Sequence, residues 1–143
     1  MSDIGGRGNR GESMFGVSAG GGQGGGLGEL GAPVLSAPAD GTPTSDGATA
    51  PTVTTDQGSG RLYWAVVTDG GAATTAQLKA GSGGNIVNNA GAHNNQQVNV
   101  SGVQTLPTIT GLAAATQYQI ISLHTNPQSL DSAQASVGLL TTA

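Results

Sequence analysis

The stretch "RLYWAVVTD", Arg61 to Asp69, decides the fold. Leu62, Trp64 and Val66 alternate with Tyr63, Ala65 and Val67, the period of two that belongs to a β-strand. Both sets are mostly apolar, so this strand is expected at the centre of a sheet, with other layers on each side. Working outward, "TQYQIISLHT" (Thr116–Thr125) and "TLPTITGL" (Thr105–Leu112) read as further strands separated by "GLAAA". "QQVNVSG" (Gln96–Gly102) reads as a half-buried strand with Val98 and Val100 on one side and Asn99 opposite, and "SAQASVGLLTT" (Ser132–Thr142) as an edge strand. "APVLSAP" (Ala32–Pro38) and "TAPTVTTD" (Thr49–Asp56) are shorter strands, confined by their prolines to edges or strand ends.

One segment breaks the pattern. "AATTAQLKAG" (Ala72–Gly81) has Thr74 as an N-cap, good helix formers behind it, Lys79 near the C-terminal end and Gly81 just beyond, which predicts a helix of about two turns. The following "GSGGNIVNNAGAHNNQQ" (Gly81–Gln97) carries five Asn and four Gly and is expected to be an exposed loop, free to bind or simply solvated.

The glycines divide the chain. Thirteen of the 26 lie in the first 32 residues, where apolar residues come singly and without period. Residues 1–32 are therefore expected to be an extended glycine-rich arm with no core of its own, and residues 33–143 one antiparallel, all-β sandwich carrying one short helix. Such an arm has little apolar surface, so its Met14, Phe15, Val17, Leu27 and Leu30 are the residues expected to bind a partner.

Composition narrows the function. The formal charge of −4 arises from eight acids against four bases, and residues 33–143 hold two bases and five aspartates. No cationic cluster exists for phosphates, and the two arginines of "GGRGNRG" stand beside three acids, so nucleic acid is not an expected partner. Cysteine is absent, which removes disulfides and thiolate metal sites. The start "MSDIGGRG" has no apolar h-region, so no signal peptide is expected, and no run has the roughly 18 apolar residues of a membrane span.

Catalytic and cofactor motifs fare no better. Gly20, Gly22 and Gly25 satisfy G-x-G-x-x-G, but they follow no strand and open no helix. The two histidines have no carboxylate at metal-ligand spacing: His93 is expected to be solvated in the Asn-rich loop, and His124 to be packed or capping at a strand end. Asp40, Asp46, Asp56 and Asp69 sit among Gly, Ser and Thr, where Asp caps turn amides. Asn99-Val-Ser101 matches a glycosylation sequon by chance, since Asn99 is expected on a strand. No cofactor, metal or enzymatic activity is expected.

In "TGLAAATQYQIISL" (Thr110–Leu123), a Gly-Leu pair is followed four residues after the Leu by Thr116 and six after it by Tyr118. This resembles the tyrosine corner of fibronectin type III domains, where the ring packs in the core and its hydroxyl bonds backbone upstream. The order of segments over residues 33–143, ending in Thr-Thr-Ala, is similar to that of fibronectin-like domains of tailed-bacteriophage virion proteins. The resemblance implies a structural virion component, a capsid decoration or head/tail accessory protein, assembled in the host cytoplasm. Its arm would be anchored on major capsid or tail subunits or on copies of itself. The alternative is a module that recognises carbohydrate or a host surface, with the Asn-rich loop offering weak amide contacts to a glycan. Against it stands the expectation that Tyr63 and Trp64, both mid-strand, leave no exposed aromatic for sugar stacking.

Overall fold

Nine strands form in the described part of the chain, the longest of them rich in β-branched and aromatic residues, and they pair antiparallel throughout. The computed structural model describes residues 31–143, of which Ala32–Ala143 make one compact unit. One sheet has three strands in the order β1 (Leu35–Ala39), β4 (Thr52–Thr55), β7 (Gly102–Thr105). The other has four, in the order β6 (His93–Gln97), β5 (Arg61–Thr68), β8 (Gln117–Thr125), β9 (Ala135–Leu140). A small hairpin pairs β2 (Thr42–Thr44) with β3 (Gly47–Thr49). The architecture is sandwich-like and all-β with one short helix.

The central position expected for "RLYWAVVTD" holds: β5 lies between β6 and β8, with Tyr63 opposite Asn95 on one side and Leu123 on the other. Its two faces feed two different cores. Leu62, Trp64 and Val66 point into the layer between the sheets with Val53, Ile109, Leu112, Tyr118, Ile120 and Leu139. Ala65 and Val67 face outward and meet Ile121, Leu123, Ile86, Ala73 and Leu78, the last of these carried by the helix α1 (Thr75–Ala80). A strand apolar on both faces therefore has a sheet on one side and a helix on the other.

The helix forms where its caps require. Thr74 accepts the Gln77 amide at 3.2 Å, while the Gln77 side chain accepts the Thr74 amide at 2.9 Å, a capping box that satisfies two orphan donors. Gly81 ends the helix at φ 71°, a left-handed conformation, and donates to the Gln77 carbonyl at 2.8 Å.

Three sequence expectations need correction. The Asn-rich segment is not all loop: its last five residues, "HNNQQ", are the edge strand β6, because pairing to β5 outweighs low intrinsic β-propensity. The half-buried strand expected at "QQVNVSG" is absent, for β6 stops at Gln97; Val98 is buried, Val100 is 65 % exposed, and Asn99 lies exposed in the connection to β7. "TLPTITGL" keeps pairing only to Thr105, and beyond it Ile109 makes a lone bridge to Ala48 as the chain crosses toward the corner. Pro38 and Pro51 behave as expected, the first on the edge strand β1 and the second just before β4.

At the corner, the Tyr118 hydroxyl accepts the amide of Ala113 at 3.0 Å, and Leu112 and Tyr118 are buried together. Among the described residues, no helix is long and apolar enough to cross a membrane.

Candidate functional site

Two hollows among the described residues lie along the outer face of the four-stranded sheet. Helix α1 covers the half of that face around Ala65 and Val67 and leaves the half around Arg61 and Tyr63 open. The register sets which side chains meet there: Arg61 stands opposite Gln97 and Thr125, and Tyr63 opposite Asn95 and Leu123. Residues directly opposite in antiparallel strands point to the same face, so Arg61, Tyr63, Asn95, Gln97 and Thr125 share one surface.

A groove of about 370 Å³ follows from this arrangement. Arg61, Tyr63 and Gln97 form its floor, and Thr125, Asn126 and Pro127 line it as the chain leaves β8. Arg61 Nη1 donates to Asn95 Oδ1 at 2.6 Å and Nη2 to Gln97 Oε1 at 3.4 Å, so neutral amides orient the guanidinium without cancelling its charge. The Tyr63 ring is half-buried in the groove. This corrects the expectation that both mid-strand aromatics are hidden: Trp64 is buried, but Tyr63 lies on the opposite face, where the helix stops short.

A second hollow of about 320 Å³ lies between the end of α1 and β6, lined by Lys79, Gly81, His93, Asn94 and Asn95. Its cation is already engaged: Lys79 Nζ is 2.8 Å from Asp131 Oδ1, in the loop after β8. Hydrogen bonds from Lys79 and from the Thr125 hydroxyl, 2.6 Å away, hold the Asp131 carboxyl below the usual carboxylate range. His93 is half-buried there and sits on a strand, where the sequence suggested a solvated loop.

β6 is also a sheet edge. The ladder bonds from Val98 to Gly60 and from Val66 to Ala92 fix the phase of pairing, which turns the main chain of His93, Asn95 and Gln97 away from β5. The central outward amide, that of Asn95, donates to Asn94 Oδ1 at 2.8 Å. A side chain thus occupies the donor that an added strand would need first, which protects an otherwise uncharged edge.

Of the other residues singled out in the sequence, His124, Asp46 and Asp56 have structural partners. His124 is completely buried, with Nδ1 2.6 Å from the Thr55 hydroxyl and Nε2 2.7 Å from the Ser59 carbonyl. Asp46 accepts the Thr44 hydroxyl in a local turn, as expected, whereas Asp56 accepts the Val34 amide across the end of the β1–β4 ladder and is not a turn cap. The described residues contain no group of three His, Cys, Asp or Glu side chains placed to hold a metal ion. Met14, Phe15, Val17, Leu27 and Leu30, the expected partner-binding residues, lie outside the described residues. The sequence reading missed the groove, although its signal was available: period-two alternation already puts Arg61 and Tyr63 on one face. The strand supplying Asn95 and Gln97 was hidden in a composition that reads as loop.

No family model, curated protein or solved structure matches this chain.

Proposed function

We propose that this chain is a non-enzymatic structural component of a tailed-bacteriophage virion, a capsid decoration or head/tail accessory protein. In this reading a fibronectin type III-like domain is held to neighbouring subunits by the glycine-rich arm of residues 1–32. The observation that carries the proposal is the hydrogen bond from the Ala113 amide to the Tyr118 hydroxyl. It closes a corner between a three-stranded and a four-stranded antiparallel sheet, the combination typical of immunoglobulin-like and fibronectin type III sandwiches. The resemblance of the segment order to phage virion domains then supplies the functional class. A fold alone does not imply a function.

The arm suits the anchoring role in its composition. Glycine backbone can enter narrow seams between subunits, and the scattered Met14, Phe15, Val17, Leu27 and Leu30 would each gain roughly 1.5–3 kcal/mol on full burial in a neighbour's pockets. The test is incorporation into particles. Replacing these five residues by serine in the full chain should leave the domain's melting temperature unchanged and remove the protein from purified virions. Normal copy number of that variant in virions would refute the anchoring role. A particle-free host carrying the gene with no phage genes around it would refute the virion assignment itself.

A further inference from the structure

Arg61 and Lys79 are the Lys and Arg side chains of the described residues, and their electrostatic situations differ. Lys79 is paired with Asp131, whereas no described carboxylate stands within ion-pair distance of Arg61. Arg61, which lines the groove, is instead set in place by two neutral amide oxygens, which leaves three of its five N–H donors and its full charge available. With Asn95 and Gln97 turning their oxygens toward Arg61, their NH₂ groups remain as donors beside it. Two residues along β5 and on the same face, Tyr63 adds part of an aromatic ring.

We propose that the Arg61–Tyr63 groove is a binding site for a carboxylate-bearing saccharide of the hexuronate type. The guanidinium takes the carboxylate through paired N–H donors, a geometry a planar fork provides and an ammonium does not. The Tyr63 ring offers an apolar face to a sugar's C–H side and the amide of Gln97 reaches its hydroxyls, while Asn95, outside the groove lining, serves to orient Arg61. At about 370 Å³ the groove is at the small end of ligand sites and takes one or two sugar rings. Its position on the sheet face argues for a saccharide over an acidic peptide. β5 is paired on both sides here, by β6 and β8, so the groove offers no free main-chain edge for a peptide to zip along. The inference stands on these side chains and does not depend on the virion assignment.

The experiment titrates the full chain by calorimetry and by amide chemical-shift perturbation with three probes. These are hyaluronan tetrasaccharide (alternating glucuronate and N-acetylglucosamine), the neutral chitotetraose, and tetraglutamate. The proposal expects the hyaluronan probe to bind at least tenfold more tightly than chitotetraose, with shifts centred on Arg61, Tyr63 and Gln97. Arg61→Gln should erase that preference, and Tyr63→Ala should weaken both saccharides. Because Arg61 is exposed, Arg61→Gln is expected to melt like the parent, and Arg61→Lys, which keeps charge without the fork, should retain only part of the preference. Equal binding of the neutral probe, tighter binding of tetraglutamate, shifts located elsewhere, or no binding at millimolar concentration would each overturn the proposal.

Discussion

The imidazole of His124 joins the two sheets: its Nδ1 lies 2.6 Å from the hydroxyl of Thr55, on β4 of the three-stranded sheet, although His124 belongs to β8 of the four-stranded one. The partner of Nε2, 2.7 Å away, is the carbonyl of Ser59, which only accepts. Nε2 therefore donates to Ser59, and in a neutral ring Nδ1 accepts from the Thr55 hydroxyl. Both ring nitrogens are satisfied in a site with no exposure to water. Thr55→Val keeps the shape but strands Nδ1 without a donor, and should cost about 1–3 kcal/mol in urea unfolding. A variant as stable as the parent would mean that the cross-sheet bond contributes nothing.

The contribution of Tyr118 separates into a hydroxyl and a ring. Tyr118→Phe removes only the bond to the Ala113 amide, and because Ala113 is exposed its amide can turn to water. The expected loss is about 0.5–1.5 kcal/mol. Tyr118→Ala also empties the space beside Leu112 and Ile120 and should cost roughly 3–5 kcal/mol. Equal losses for the two variants in denaturant titrations would assign the corner's role wholly to the hydroxyl and contradict the packing described here.

Much of this architecture was legible in residue order, for identifiable reasons. β5, β8 and the helix each carry their own signal, through runs of β-branched, aromatic and other apolar residues in the first two and through Thr74, Lys79 and Gly81 in the third. β6 carries none: "HNNQQ" is polar on both faces and becomes a strand only because β5 offers it a ladder. Val98 and Val100 mislead in the opposite direction, for alternation continues in sequence past the end of the strand, whose last ladder bond runs from Val98 to Gly60. The groove was only half legible, for the same reason as β6. Arg61 and Tyr63 announce a face, but the amides that orient Arg61 come from the strand that composition conceals.

Gly81 combines two demands that no other residue meets. Its φ of 71° lies in the left-handed region, and a Cβ at this position would approach His93 Nδ1 to 2.6 Å. Gly81→Ala should therefore destabilise the domain by about 1–2 kcal/mol, more than the tenths typical of exposed loop changes. If the steric part is real, adding His93→Ala should recover some of that loss, a coupling that a double-mutant cycle on thermal unfolding measures. Strict additivity would leave backbone conformation as the whole cause.

The ion pair between Lys79 and Asp131 predicts an acid-side dependence of stability. Lys79 first, then the Thr125 hydroxyl, lower the Asp131 pKa in the folded state, with partial burial opposing them. A carboxyl with a depressed folded pKa binds more protons unfolded than folded between its two pKa values, so stability rises with pH across that window. The contribution is complete above the unfolded aspartate value of about 3.9 and disappears as pH falls through the lower folded value. Both side chains are about a third exposed, at 35 % and 32 %, and solvent screening limits the pair to roughly 0.2–1 kcal/mol. Asp131→Asn should therefore be less stable than the parent at pH 7 by about that amount. The gap should narrow as the parent is titrated toward pH 2, and 1 M salt should shrink it at neutral pH, since screening there acts over about 3 Å. A difference between parent and variant that stays constant from pH 7 to pH 2 would show that Asp131 acts through its hydrogen-bond geometry with Thr125, and that its charge does not tie the helix to the sheet.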